Sequence, residues 1–242
     1  MPEFCNIDLV WHVGTLERAD RGRKSQESYE GHLFSVSEFP EDWSDITHLS
    51  GEVWEMTREG AEWLDIHALN EDELAEIRAW AIDARLAVTA PVFRTWRFDS
   101  EGGSWGYCEF TDQSDALAEI EGEELGAADD IPSQSGGLLD EVAGIILTPE
   151  GREAIGRWRG ATHADDALVI LWADLVLKPE HPDLMGVWWY DDHDPAALSC
   201  PRGGVFEDRL GEFTFDGERG ASPPESFLER HFTAATFSQN LD

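Results

Sequence analysis

Four basic residues of this chain lie within seven positions of one loop that follows Thr15. They are Arg18, Arg21, Arg23 and Lys24, in a chain with only 17 Lys and Arg against 51 Asp and Glu. Guanidinium groups present paired hydrogen-bond donors that fit phosphate oxygens. The clustering therefore predicts an anion site, with Arg21 and Arg23 near a pyrophosphate. The alternative is pairing with acids of the same loop, and surface ion pairs of that kind contribute little stability.

The segments on either side of this loop carry a second pattern. Leu9-Val10-Trp11 reads as a short strand that runs into His12-Val13-Gly14-Thr15, and Leu33-Phe34-Ser35-Val36-Ser37 alternates like a half-buried strand. Together they resemble the ADP-ribosyltransferase fold, whose first strand ends in a His-Gly-Thr box and whose second carries an aromatic-x-Ser pattern. Val13 interrupts the box in this chain, and the resemblance covers only residues 11–37 of 242.

The resemblance implies that NAD is the substrate of the site. His12 would contact the adenosine-side ribose, and backbone groups of Gly14 and Thr15 would hold the nicotinamide amide. Tyr29 or Phe34 would pack on the nicotinamide ring, with Ser35 completing the second-strand pattern.

In that family a late glutamate bonds the reacting ribose, and the candidates here are Glu207 and Glu212, which follow the strand-like Gly204–Phe206. Breaking the nicotinamide–ribose bond leaves a cation-like sugar, so catalysis is positioning plus electrostatic stabilisation by a carboxylate. With so many acids in the chain, the sequence does not single one out.

A different class of function is indicated by the Asp191-Asp192-His193-Asp194 turn. Its carboxylates and imidazole could hold Mg²⁺ or Mn²⁺ in a divalent-metal-dependent hydrolase. The spacing matches no metal-binding signature, and Asp-rich turns are also typical of acidic surfaces, so our assignment places no metal ligand in the site.

A further candidate ligand loop is the segment Leu198–Phe206. It contains Cys200 and Arg202, followed by a Gly203-Gly204 pair before a predicted strand. Arg202 could hold an anion. A nucleophilic role for Cys200 would need a lowered pKa and a neighbouring base. The glycines would also suit a bulge or a tight turn.

The elements that must position these groups are mixed without βαβ alternation. This predicts an α+β fold, a single domain over 1–242 with a mixed or antiparallel sheet, peripheral helices and a mobile loop at 126–137. Capping boxes at Asn70–Glu73 and Ser222–Glu225 predict two helix starts, and the first helix should extend over Val88 until Pro91 ends it. The apolar run from Ala167 to Leu177 predicts a long strand.

The net charge of −34 indicates where the protein works. Self-repulsion of such a chain is screened only in concentrated salt, which predicts a K⁺-rich halophilic cytoplasm. Three separated cysteines, no secretory leader and no long apolar run agree with a cytoplasmic protein that has no membrane partner. The acidity disfavours nucleic acid and leaves a protein or a nucleotide as substrate. A non-catalytic interaction protein of a mobile element or defence system is the other class that the sequence leaves open.

Overall fold

The computed structural model describes residues 2–16, 31–47, 51–99, 104–126, 139–156, 164–194, 196, 199–218 and 222–232. The predicted anion loop with Arg21, Arg23 and Tyr29, and residues 127–137 of the predicted mobile loop, lie outside these ranges. The predicted α+β class is confirmed, because helices accompany one mixed and one antiparallel sheet.

The described residues group into two compact units. The larger takes those up to Ile77, those from Asp166 onward, and Ile155 with Gly156; the smaller takes those within 78–154 together with Ala164 and Asp165. One domain over 1–242 stays a prediction.

Eleven strands are defined in the described part of the chain. They are β1 (Phe4–Asn6), β2 (Leu9–Val13), β3 (Phe34–Ser37), β4 (Val53–Thr57), β5 (Glu62–Asp65), β6 (Ala87–Asp99), β7 (Ser104–Phe110), β8 (Leu139–Leu147), β9 (Leu184–Trp189), β10 (Arg202–Val205) and β11 (Thr214–Gly217).

The helical segments alternate irregularly with these strands. They are α1 (Pro40–Thr47), α2 (Glu71–Asp83), α3 (Gln113–Gly126), α4 (Pro149–Ile155), α5 (Ala164–Trp172), a π-helical turn (Ala173–Leu177), a 3₁₀ segment (Glu207–Glu212) and α6 (Glu225–His231). None of these described helices is long and apolar enough to cross a membrane.

The larger unit is built on an eight-stranded sheet of order β1-β5-β9-β10-β3-β2-β4-β11. Strands β5 and β9 are parallel, and the other neighbouring pairs are antiparallel. Side chains alternate between the two faces. A large core cluster that includes Val10, Phe34 and Trp54 covers one face of the central strands, and a small cluster that includes Val13 and Trp43 covers the other.

The smaller unit contains a three-stranded antiparallel sheet with β6 in the centre. The prediction that α2 continues over Val88 was wrong, because α2 ends at Asp83 and Arg85 adopts a positive φ of 62°. Pro91, expected to end a helix, lies inside β6 and is paired with β8 alone, since pairing with β7 begins at Phe93. A proline is tolerated where one side of a strand is unpaired.

The predicted strand over 167–177 was also wrong. Those residues form the end of α5 and the π-helical turn. All of Ala167–Leu171 are buried, so this stretch of the helix has no polar face and carries no helical period.

Of the two predicted capping boxes, one is confirmed. Asn70 Oδ1 accepts the backbone N–H of Glu73 at 3.0 Å, and Glu73 Oε2 accepts that of Asn70 at 3.1 Å. At α6 the capping residue is Pro224, which makes no side-chain cap hydrogen bond, so the Ser222 box was wrong.

Candidate functional site

Strands β2 and β3 separate soon after they meet. Their only paired residues are Trp11 and Ser37, whereas β2 stays paired with β4 through to Val13 and Val53. A gap therefore opens between β2 and β3 toward the end of β2, where ladder hydrogen bonds are no longer made. The predicted residues His12 and Gly14 lie beside this gap.

The imidazole of His12 bridges the gap. Its Nδ1 lies 2.8 Å from the carbonyl oxygen of Ser35, and its Nε2 lies 3.3 Å from that of Thr15. The side chain is 7% exposed, and its ring stacks at a tilt on Phe34 with centroids 4.1 Å apart. Carbonyl oxygens only accept, so a ring with protons on both nitrogens would satisfy both contacts.

Gly14 has a conformation and a setting that a larger residue would disturb. Its φ is +124°, and its N–H donates to the carbonyl of Glu52 at 2.9 Å. Its own carbonyl accepts the indole N–H of Trp54 at 3.1 Å. Among the described residues, a Cβ built here would meet only His12 Nε2, at 3.7 Å. Gly14 thus forms the floor of a small notch, named the Gly14 notch below.

The structure brings some of the predicted residues together and separates others. Phe34 lies on the face of β3 that carries the large core cluster and contacts His12. Ser35, its neighbour, projects from the opposite face by strand alternation, so only its carbonyl reaches His12. Thr15 contributes a carbonyl as well.

Glu52 is a site residue that the sequence reasoning missed. The Gly14–Glu52 hydrogen bond continues the β2–β4 register beyond the paired residues Val13 and Val53. On that register Glu52 shares a sheet face with His12 and Trp54, directly across from Gly14. Its Oε1 is buried, and no hydrogen-bond partner lies within the described residues. No motif marks this residue, and only its pairing with Gly14 reveals it.

The two predicted catalytic glutamates lie at different ends of the sheet. Glu207 follows β10, whose Val205 pairs with Phe34, so it lies at the same strand end as the Gly14 notch, two strands away. Glu212 bonds Arg209 at 2.7 Å and lies 3.5 Å from Arg58. Since Arg58 follows β4 at the end where β2 begins, the structure does not bring Glu212 to His12.

The residues of the Asp191–Asp194 turn engage different partners. Asp191 accepts from Arg202 Nε at 3.2 Å, and His193 bonds Asp42 and stacks on Phe39 with centroids 3.8 Å apart. Asp194 accepts the N–H of Ala196. Within the part of the chain that the structure describes, no three His, Cys, Asp or Glu side chains form a group that could hold a metal ion.

The loop around Cys200 is packed rather than open. Cys200 is 1% exposed, and burial raises the pKa of its thiol. Arg202 lies over the rings of Trp43 and Trp189 at 5.7 and 5.1 Å. Gly203 is inside β10, where a Cβ would meet Trp188 at 2.2 Å, so close packing and not a turn requires this glycine.

Two shallow surface clefts lie away from the Gly14 notch. One of about 440 Å³ borders Arg58, whose guanidinium already donates to the Glu59 and Gly60 carbonyls and to Asp183. The other, of about 260 Å³, lies over Trp11 and is rimmed by four acidic residues, Glu41, Glu55, Asp216 and Glu218.

Comparisons with known proteins do not assign the chain to a family. No family model matches the chain, and neither a curated protein nor a solved structure does. The likeness to ADP-ribosyltransferases thus depends on the residues themselves.

Proposed function

We propose that the chain is an NAD-binding transferase of the ADP-ribosyltransferase kind, with its nicotinamide site at the Gly14 notch. The observation that supports this most is the gap between β2 and β3, which gathers His12, Gly14 and Phe34 at one place. A planar amide-bearing ring would lie on the floor of the notch beside the imidazole of His12. Phe34 is 1% exposed and would support that imidazole from the core side. The basic loop that follows Thr15 would hold the pyrophosphate.

The reaction would break the bond between ribose C1 and the nicotinamide nitrogen, and the bonding electrons would leave with nicotinamide. An oxygen nucleophile from water or a protein acceptor would then bond to C1 and lose its proton to solvent or to a base. An acidic group at this end of the sheet, Glu207, would stabilise the cationic sugar.

The test is NAD binding by calorimetry in 2 M KCl, with paired variants. We expect saturable binding by the wild-type chain and loss of binding in His12→Ala. In Gly14→Ala the new methyl group occupies the notch, and affinity should fall at least about tenfold. Gly60→Ala is the matched control, because Gly60 also has a positive φ (+71°) and a Cβ there would be 3.5 Å or more from described atoms. Absence of NAD binding by the wild type would end the proposal.

One observation favours a non-catalytic interaction protein instead. Both ring nitrogens of His12 and both backbone groups of Gly14 already have partners inside the chain. On that alternative these residues only close the sheet end, NAD produces no heat, and a stable protein partner is recovered by pull-down.

A further inference from the structure

Strand β8 is the longest edge strand of the two sheets. It pairs with β6 on one side, and within the described residues no strand lies on its other side. The edges of the eight-stranded sheet are β1 and β11, of three and four residues, whereas β8 has nine. A long edge strand presents a row of unpaired backbone groups that can pair with another strand.

The register with β6 shows which backbone groups of β8 point outward. The N–H of Thr148 donates to the carbonyl of Leu86 at 3.0 Å, one step beyond the last paired residues of the two strands. Hydrogen-bonded and non-hydrogen-bonded pairs alternate along an antiparallel ladder. The even-numbered residues of β8 therefore bond β6, whereas the N–H and C=O groups of Ala143 and Ile145 point away from it.

Pro91 supports this assignment. It pairs with Ala143, so it is one of the β6 residues whose nitrogen points away from β8. A proline has no N–H to donate and fits a strand only where the ladder does not need one. Strand β7 does not require it, because its pairing with β6 begins at Phe93. Within the part of the chain that the structure describes, the outward groups of Ala143 and Ile145 have no hydrogen-bond partner.

Strand β8 also lacks the features that usually block an exposed edge. Natural edge strands carry lysine, proline or a bulge. The sequence Leu139–Leu147 contains neither residue, and its register with β6 has no shift. Its two acids, Asp140 and Glu141, lie together at one end, and residues 142–147 are apolar or glycine. This edge is therefore open to pairing along its apolar part.

We propose that the outer edge of β8 pairs with β8 of a second copy of this chain, antiparallel about a two-fold axis at Gly144. The outward N–H and C=O groups of Ala143 and Ile145 then bond those of Ile145 and Ala143 of the partner subunit. This dimer does not depend on the NAD site, because β8 belongs to the smaller unit and the Gly14 notch belongs to the larger one.

The sequence of β8 suits pairing with itself. The two-fold axis sets Val142 opposite Ile146 of the partner subunit, so apolar side chains meet on one face. Glu141 lies opposite Leu147 of the partner subunit, which leaves the two Glu141 residues about 20 Å apart along the strands. That separation is several times the Debye length in concentrated salt, so these like charges do not oppose pairing.

The symmetry also limits the size of the assembly. Two β8 strands that pair about a two-fold axis use the same edge of both chains, and the assembly closes at a dimer. Pairing of β8 with β7 of the next copy would use two different edges and would continue into a filament. A closed dimer is therefore the expected species.

The test is the molar mass of the whole chain in 2 M KCl, measured by sedimentation equilibrium at about 1 to about 200 µM protein. We expect a reversible equilibrium between monomer and dimer, with no larger species. A monomer over the whole range, or a mass that rises beyond that of a dimer, would overturn the proposal.

The decisive variant is Ala143→Pro. It removes an outward N–H and leaves the hydrogen bonds between β6 and β8 in place. Each dimer loses two hydrogen bonds, so the dissociation constant should rise at least about tenfold. A folded Ala143→Pro chain that dimerises as tightly as the wild type contradicts pairing through this edge.

Ala143→Ser is the matched control, because it changes the same side chain and keeps the backbone N–H. It should dimerise like the wild type. If Ala143→Ser weakens the dimer as much as Ala143→Pro does, the effect comes from the side chain and the proposal is overturned.

Hydrogen exchange of the wild-type chain covers the case in which Ala143→Pro does not fold. The amides of Ala143 and Ile145 should exchange at least about tenfold more slowly at the highest protein concentration than at the lowest, because only the dimer bonds them. The amide of Gly144 bonds β6 in both states, so its exchange should change much less. Rates at Ala143 and Ile145 that do not depend on concentration would overturn the proposal.

Discussion

The Nδ1 atom of His12 lies 2.8 Å from the carbonyl oxygen of Ser35, across the gap where β2 and β3 no longer pair. The imidazole thereby takes the place of a missing ladder hydrogen bond. His12→Ala removes this bond and leaves a buried space beside Phe34. We expect it to lower the free energy of unfolding by about 2–4 kcal/mol, measured by denaturant titration at fixed KCl.

The control for that loss is His67→Ala. His67 has a side chain that is 48% exposed and lies 3.9 Å from Asp191, so its removal should change stability by less than about 0.5 kcal/mol. Equal stability of His12→Ala and the wild type would show that the bridge contributes nothing.

A second prediction concerns Asp174 in the π-helical turn. Burial alone would raise the pKa of this carboxyl, but hydrogen bonds and charge from His32 and Lys178 hold the pKa below its ordinary value. Lys178 Nζ also bonds Asp208, at 2.7 Å. Because the folded pKa is lowered, the stabilisation is complete above the ordinary Asp pKa and is lost as pH falls through the folded pKa.

Asp174→Asn should therefore destabilise the protein by roughly 1.5–3 kcal/mol at pH 7, with the difference shrinking toward pH 2. The free energies of unfolding of the wild type and of Asp174→Asn, measured from pH 7 to pH 2, test the direction of this change. A difference that grows as the pH falls would contradict the assignment.

Cysteine chemistry gives a third prediction. Burial raises the pKa of Cys5 to about 11, from 9.0 for an ordinary thiol, and Asp65 adds to the shift. At pH 8 the folded protein then holds about 100-fold less Cys5 thiolate than an unperturbed thiol would. We expect alkylation by iodoacetamide in 2 M KCl to be slower by about that factor than in the unfolded chain, as followed by peptide mass spectrometry. Equal alkylation rates in the folded and the unfolded chain would show that burial does not lower the reactivity of Cys5.

Salt dependence is the fourth prediction. The chain carries a formal charge of −34, and its repulsion is screened within about 3 Å at 1 M salt. The midpoint of thermal unfolding should rise steeply between 0.1 and 1 M KCl and then level off. An equally osmotic sucrose series should produce a much smaller rise, since sucrose does not screen charge. A thermal unfolding midpoint that does not change with KCl concentration would contradict adaptation to a salt-rich environment.

Local sequence signals predicted most of the strands and helices of the larger unit. The features that they did not predict depend on burial or on pairing between distant parts of the chain. The strand at Leu9, the helix at Pro40 and the cap at Asn70 were predictable, because alternation, an N-terminal proline and a capping box act within a few residues. Helix α5 was not, since the unbroken burial of residues 167–171 leaves that stretch without a helical period. Glu52 was not either, because its place opposite Gly14 is fixed by a partner strand 38 positions along the chain.

The most direct measurement is histidine side-chain NMR of the wild-type chain in 2 M KCl during titration with NAD. The His12 resonances, assigned by their absence in His12→Ala, should shift saturably, while those of the distant His67 stay fixed. Saturable binding that leaves His12 unmoved, or no binding at all, would contradict a nicotinamide site at the Gly14 notch.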